Sequence, residues 1–332
     1  MTGGPARILD ALRRAGGETC SGEVLSSNIG VTRAQVWKHV EALRARGYTI
    51  DGDPGGGYRL SEIPDRLYVE EIQTGLETSW LATEIHYFET VDSTNRVALD
   101  LARSGSAHGT TVVADQQTAG RGRLGRSFFS PPAANLYTSI VLRPRIHTAE
   151  APSWILAAAV SVAETIEQTL GKHGDVAIKW PNDVLLGGLK TSGILMELGA
   201  EATRVDFLVL GIGVNLNVDR NQFPDEFRDR ATSLASHRGR PVDRLAFARR
   251  LYGNLEVTLD VCADRGFDGV RAEFDARFQM RDKQVSVLEL DGSELKGTAL
   301  GIDDDGALRL RLETGDVIRV IAGDVTLAKE GN

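Results

Sequence analysis

Ten consecutive residues, Gln117-Thr118-Ala119-Gly120-Arg121-Gly122-Arg123-Leu124-Gly125-Arg126, hold the densest chemistry of the chain. Three glycines permit positive φ and close backbone approach to a ligand, and three guanidiniums offer forked donors to phosphate or carboxylate. The stretch follows a strand-like run that ends near Ala114 and reads as an anion-binding loop. It lacks the Gly-Lys-Ser/Thr ending of a P-loop and the glycine spacing of a dinucleotide fingerprint. The bland alternative is an RNA-touching Arg/Gly tract. Such tracts are long and repeated, whereas this one occurs once between ordered segments.

A second group is Lys179-Trp180-Pro181-Asn182-Asp183, followed by Gly187-Gly188 and by Lys190-Thr191-Ser192-Gly193-Ile194-Leu195. Residues 176–180 and 184–186 are β-prone, and Pro181-Asn182-Asp183 should break or bulge that strand and turn a carboxylate and an amide sideways. Asp183 is a candidate Mg²⁺ ligand. Lys190, in or at the start of the return strand, can aim an ammonium at charge developing on phosphorus. Only seven of the 38 basic residues are lysines, so each lysine is a scarce choice. A solvated hairpin with incidental charges is the competing reading. Two weaker signals complete the set. Asp92-Ser93-Thr94-Asn95 precedes a helical run and by itself reads as a cap. Gly211-Ile212-Gly213-Val214-Asn215-Leu216-Asn217 follows the apolar strand 207–210, where the glycines allow either ligand approach or tight strand packing and Asn215 offers a polar contact.

These groups need a scaffold, and the chain divides into three segments. Residues 1–62 read as short helices and a glycine-rich hairpin. Ile8, Leu9 and Leu12 form one apolar stripe and Val24, Leu25 and Ile29 a second. After Gly30, Thr32 and Gln35 form a capping box for a helix carrying Val36, Val40 and Leu43. Short strands at 48–50 and 57–60 flank a turn at 51–56, giving a winged helix-turn-helix. Thr32, Arg33, Gln35, Lys38 and His39 lie on or near the polar side of its last helix, where side chains reach base edges and phosphates. Eight basic against seven acidic residues leave this segment at +1, so a module used only for packing or protein contact stays open beside DNA binding. Residues 66–278 alternate strand-like runs, such as 110–114, with helical ones, such as 155–170, and predict a mixed α/β domain. From 280 to 332 the text alternates apolar and polar residues between Asp291-Gly292, Asp305-Gly306 and Thr314-Gly315, which predicts a small antiparallel β-barrel. The fold class expected is multidomain α+β.

Composition bounds the partners. The net charge of −8 argues against nonspecific coating of nucleic acid, so any DNA contact is local. Two cysteines, Cys20 and Cys262, exclude a disulfide framework or thiolate metal site and fit a reducing cytoplasm. The longest nearly uncharged apolar stretch, 154–163, is about half of a bilayer span, so no membrane partner is expected, and Arg7 and Asp10 interrupt any signal-peptide pattern.

Taken in order, the winged helix, Asp92-Ser93-Thr94-Asn95, the Arg/Gly loop 117–126, Asn135-Leu136-Tyr137, Lys179-Trp180-Pro181-Asn182-Asp183, the 190–195 strand and Gly211 to Asn217 resemble the biotin protein ligases. More closely they resemble the bifunctional type, a biotin–[acetyl-CoA-carboxylase] ligase that is also the biotin operon repressor. The resemblance covers nearly the whole chain. It implies a class II synthetase-like central domain that joins biotin and Mg·ATP into biotinyl-5′-AMP and transfers biotin to one lysine of a biotin carboxyl carrier protein. It further implies an adenylate-bound homodimer that binds operator DNA in the cytoplasm. By this resemblance Ser93, Thr94, Asn95 and Gln117 bind the ureido and thiophane end of biotin. Arg121, Gly122 and Arg123 close over biotin and its adenylate, with Arg123 and Lys190 catalytic and Lys190 at the carboxylate and α-phosphate. Gly120, Arg126, Lys179, Asn182 and Asn215 take the ATP or adenylate side, with Mg²⁺ at Asp183.

Two departures stand out. Residues 218–234, where the family has an adenylate-covering loop, contain Phe223 and Phe227 but no Trp, so no aromatic is assigned to adenine. Leu189 stands before the key lysine where a basic residue is common. Three other readings compete: a ligase without repressor activity, a noncatalytic ligand-sensing transcription factor, and a lipoate-type ligase. The last is disfavoured because the loop with Gln117 suits a ureido ring better than a dithiolane chain.

Overall fold

Each of the first three helices presents apolar residues at helical spacing, and those residues meet. The computed structural model describes residues 3–53, 56–289 and 291–327, and the chain forms two compact units, Met1–Thr74 and Gly75–Asn332. In the first unit, α1 (Gly4–Arg14), α2 (Gly22–Ile29) and α3 (Arg33–Ala45) bury Ile8, Leu9, Leu12, Leu25, Ile29, Val36, Val40 and Leu43 against Tyr48 and Ile50. Val24, expected in this stripe, is turned outward and 50% exposed, because one helical step from Leu25 swings it off the buried face. Gly30 takes the left-handed conformation (φ 73°) that turns the chain into α3, and the Thr32/Gln35 capping box forms. The wing pairs β1 (Thr49–Asp53) with β2 (Gly57–Glu62), so both strands run further than expected; Pro54-Gly55 of the predicted turn lie outside the described residues. A fourth helix, α4 (Val69–Gln73), completes the unit, its buried Glu71 accepting from the Tyr48 hydroxyl at 2.5 Å and pairing with Arg13.

The second unit is built on a seven-stranded sheet. Its strands are β3 (Ile85–Phe88), β4 (Thr111–Ala114), β5 (Leu136–Leu142), β6 (Val176–Lys179), β7 (Asp183–Leu186), β8 (Leu189–Glu201) and β9 (Arg204–Val214), in the order β3-β4-β5-β9-β8-β7-β6. Only β3 and β4 run parallel; the other neighbours are antiparallel. The helices are α5 (Thr94–Arg103), α6 (Ala151–Leu170), α7 (Asp225–Arg228), α8 (Leu234–Arg238), α9 (Arg244–Arg265) and α10 (Arg271–Asp275). Successive strand residues face opposite ways. Accordingly the Thr138 hydroxyl meets Tyr252 of α9, while the Ser139 hydroxyl donates to Thr94 and Asn95 of α5 on the other face. Strand β9 does not stop at Leu210. It continues through Gly211 and Gly213, which keep their ladder pairing with β5 and β8.

The last strands, β10 (Gln284–Leu288), β11 (Glu294–Ile302), β12 (Leu308–Leu312), β13 (Val317–Val320) and β14 (Asp324–Leu327), form an antiparallel sheet in the order β13-β12-β11-β10-β14. It is not the closed barrel that the alternation predicted. Residues 321–323 carry the chain from one edge to the other, and so short a link spans at most about 14 Å, which curls the sheet strongly. Among the described residues the edge strands β13 and β14 nevertheless share no ladder. Trp180, 1% exposed, ties this sheet to the central one by donating its indole N–H to the Gly306 carbonyl at 2.9 Å.

Candidate active site

The α5 face of the central sheet carries a cavity of about 910 Å³. Its floor is backbone. Gly193 pairs with Gly213 and Leu195 with Gly211 across β8 and β9, so at the three glycines no Cβ rises from the sheet. These glycines make room for neighbouring side chains as well. A Cβ on Gly211 would overlap the Asn95 amide, and one on Gly213 would lie 2.6 Å from the Phe128 ring.

At one end of the cavity sit Ser93, Thr94, Asn95 and Gln117. The expected cap at α5 is not the one observed. Ser93 occupies the N-cap position but its side chain makes no cap bond; instead the Gln117 amide oxygen accepts from the Thr94 N–H (2.9 Å) and hydroxyl (3.1 Å). The Ser93 hydroxyl is thereby left buried, on the cavity lining, with no hydrogen-bond partner among the described residues. A buried hydroxyl left unpaired costs about 1–3 kcal/mol, a cost that a neutral polar ligand group removes. Asn95 is fully engaged, accepting from Ser139 at 2.7 Å and donating to Glu197 at 3.0 Å, so it holds the wall in place.

The Arg/Gly loop is folded back on itself, with Gly122 N–H donating to the Arg126 carbonyl (2.7 Å) and Phe128 N–H to the Gly120 carbonyl (2.9 Å). Of its three glycines only Gly125 needs positive φ (71°); the non-glycine Leu124 beside it also takes the left-handed region (56°). Gly120 does not line the cavity. A Cβ there would lie 2.5 Å from the Phe128 carbonyl oxygen, so this glycine serves the packing of the loop. Arg121, Gly122, Arg123 and Arg126 do line it. Arg121 pairs with Glu197 at 3.1 Å. Arg123 donates to Asn182 and to the Gly323 carbonyl, both at 3.3 Å, and Arg126 pairs with Asp324 at 2.7 Å. Burial lowers the Arg123 pKa while Asp183 and Asp324 oppose that shift, and the guanidinium stays charged.

Within reach of Arg123, the hairpin of β6 and β7 brings in Lys179, Asn182 and Asp183, the chain reversing between Lys179 and Asp183. Asn182 clips this turn to β8 by donating to the Ile194 carbonyl at 2.8 Å. Lys190 stands on β8 with its ammonium 2.6 Å from Asp183. The β7–β8 register shifts here, Leu185 facing Lys190 and Val184 facing Ser192, and such a bulge re-aims the side chains around it. The backbone of Lys190 also pairs with the 219–233 segment, its N–H donating to the Arg230 carbonyl and its carbonyl accepting from Thr232 N–H.

Arg123 and Lys190 therefore line one cavity. Asn215 does not. It is buried, with its amide oxygen accepting from Asn135 and its N–H donating to the Thr191 carbonyl, so it braces the strand that carries Lys190. Sequence reasoning missed several lining residues. Phe227 lies on the cavity, whereas Phe223 is buried against Phe129, with ring centroids 5.9 Å apart. Arg230, and Asp324 and Thr326 of the C-terminal sheet, also line it. No local pattern marks those last two, because the fold alone returns β14 to the site.

In the first unit, Thr32 and Gln35 are occupied by the capping box, and Arg33 pairs with Glu23 at 2.7 Å. His39 is turned away from the outer face of α3, its ring packing where a Cβ on Gly4 of α1 would stand. Lys38 is exposed.

A winged helix-turn-helix and a domain whose cations converge on a glycine-floored cavity define a DNA-binding protein that also carries a catalytic domain for acidic substrates. Residues 87–215 match the biotin/lipoate A/B protein ligase family, residues 6–59 an HTH domain and residues 282–327 the biotin protein ligase C-terminal domain. The chain is 37% identical to the bifunctional ligase/repressor BirA of Bacillus subtilis over 96% of its length and 97% of that protein's. It is 31% identical to BirA of Escherichia coli, covering 97% of both. A solved structure of biotin protein ligase from Aquifex aeolicus in complex with biotin and ATP is similar with a TM-score of 0.64 and 27% identity, covering 74% of this chain and all of that one. The chain belongs to the family of bifunctional biotin ligase/repressors.

Proposed function

We propose that this protein adenylates biotin and transfers it to a carrier lysine, and that its winged helix represses transcription when the adenylate is bound. In the first step a biotin carboxylate oxygen attacks the α-phosphorus of ATP, a P–O bond forms and pyrophosphate leaves. In the second, a carrier lysine amine attacks the activated carbonyl, AMP leaves and the amine loses its proton. The observation that carries this reading is the convergence of Lys190, Arg123, Arg121 and the unpaired Ser93 hydroxyl on one cavity.

Two anions must be brought together, so the site's contribution is positioning and fixed positive charge. Ser93 and Thr94 meet the uncharged ureido end, with Gln117 and Asn95 holding that wall. Lys190 stands at the carboxylate and α-phosphate; Arg121, Gly122 and Arg123 cover the adenylate. Lys179, Asn182, Arg126 and Arg230 serve the phosphates, and Phe227, the one cavity-lining aromatic of the covering segment, serves the adenine. Asn215 and Gly120 support these groups from behind. Among the described residues no three carboxylate, imidazole or thiol groups converge to make a metal cage. One carboxylate, Asp183, fits Mg²⁺, which binds through one or two carboxylates together with substrate phosphates. Bound there, Mg²⁺ would neutralise phosphate charge.

The largely antiparallel sheet supports a class II synthetase-like architecture for the central domain, within a division at 1–62, 66–278 and 280–332. The carrier is a biotin carboxyl carrier protein of acetyl-CoA carboxylase or another biotin-dependent carboxylase, and the working compartment is the cytoplasm. Ordering of the loops by biotinyl-AMP creates a homodimer surface that sets two winged helices at operator spacing. Incubation with biotin, ATP, Mg²⁺ and a biotin acceptor domain, read by mass spectrometry, tests the enzyme: one lysine-linked biotin is expected, and an unmodified acceptor with no pyrophosphate release rejects it.

A further inference from the structure

The outer face of α3 is polar, as its sequence promised, but most of its polar side chains are already engaged. Thr32 and Gln35 close the helix's own N-terminus, Arg33 is paired and His39 packs on α1. What remains outward is Ala34, Trp37 and Lys38 at i, i+3, i+4 spacing, followed by Ala42 and by Glu41, whose charge is paired with Arg44 at 2.7 Å. Trp37 is 54% exposed, while Trp154 and Trp180 are buried. No ring or cation among the described residues stacks on it. An indole left in water forfeits the burial that ordinarily makes tryptophan a core or interface residue. Its setting identifies the occupant. Trp37 sits in mid-helix on the second helix of the helix-turn-helix, beside the exposed Lys38, so a polyanion with an apolar feature in its groove is the matching partner. Duplex DNA supplies that feature as the thymine 5-methyl group, which small apolar side chains and aromatic rings read in the major groove.

We propose that Trp37 is a specificity-determining residue of the operator complex, packing its indole on thymine methyl groups in the major groove while Ala34 allows the helix to approach closely. This rests on the DNA-binding reading. Lys38 then supplies a phosphate contact, which attracts any sequence, and Trp37 supplies the discrimination.

The test uses the full-length protein with biotin, ATP and Mg²⁺. Sequences are enriched from a randomised duplex library, and the consensus duplex is remade with deoxyuridine replacing each thymidine in turn, which removes only the methyl group. For the wild type, loss of the contacted methyl is expected to weaken binding about fourfold, the effect of exposing one methylene-sized group. Trp37→Ala should bind the thymidine duplex that much more weakly or worse and show no deoxyuridine penalty at that position, while Trp37→Phe retains part of it. The slope of affinity against salt should be unchanged in Trp37→Ala and reduced by about one in Lys38→Ala. Because Trp37 is exposed, its variants should melt with the wild type. Equal deoxyuridine penalties in wild type and Trp37→Ala would overturn this inference alone. Failure of the wild type to enrich any sequence would overturn the DNA-binding reading with it.

Discussion

Gly213 offers a sharp test because the Phe128 ring lies where its Cβ would stand. A Cβ at 213 would lie 2.6 Å from Phe128, and ordinary contact begins near 3.4 Å, so Gly213→Ala must move the ring by about 0.8 Å. Gly193 and Tyr137 flank the ring, which leaves the cavity as its open side. Overpacking of this kind costs about 1–3 kcal/mol, and a ring pushed into the space for biotin levies it on binding. We expect the KM for biotin to rise roughly tenfold or more at 1.4 kcal/mol per factor of ten, and the thermal midpoint to fall by about 2–4 °C per kcal/mol that the fold absorbs. Pyrophosphate release over a biotin titration, with a melting curve on the same preparation, measures both. Gly253→Ala is the matched control, since it lies in α9 with nothing within 4 Å of the added carbon, and helix propensity makes it neutral or stabilising by up to about 1 kcal/mol. If Gly213→Ala matches the wild type in both KM and melting, the glycine floor does not shape the substrate site.

Three further outcomes follow. Lys190→Ala leaves the buried Asp183 Oδ1 without its partner, so it should cost about 1–3 kcal/mol of stability while still folding, and should slow adenylate formation by about 10²–10³-fold; an unchanged rate of pyrophosphate release removes its assigned role. Arg123→Gly breaks the bonds to Asn182 and to the Gly323 carbonyl that hold the loop over the cavity, so biotinyl-AMP should escape into solution, and retention as tight as in the wild type counts against a covering loop. Gel shifts should show tighter operator binding with biotin and ATP than without them; identical affinity rejects adenylate-controlled repression.

The periodic parts of the fold were legible because amphipathic spacing acts locally. The stripes of α1 and α3 and the Thr32/Gln35 box were readable without any tertiary contact. So were the two chemical clusters, since arginines among glycines and a lysine on a short return strand announce anion chemistry by type and spacing. Val24 and the barrel were misread for a common reason: a residue's face and a sheet's closure depend on partners distant in sequence.

The sequence by itself determined the inventory: which helices form, which segments bear cations, and which family pattern their order follows. Tertiary structure decided the assignments. It gave Gln117 the cap that the 92–95 stretch was expected to supply, leaving the Ser93 hydroxyl to the cavity, and it set Asn215 behind the strand of Lys190. It brought Asp324 back to Arg126 across 198 residues of chain and left Trp37 facing outward where polar readers were expected. The physical reason is that a hydrogen-bonding group takes whichever partner the packed fold places within reach, and that partner is set by topology, which no window of neighbouring residues contains.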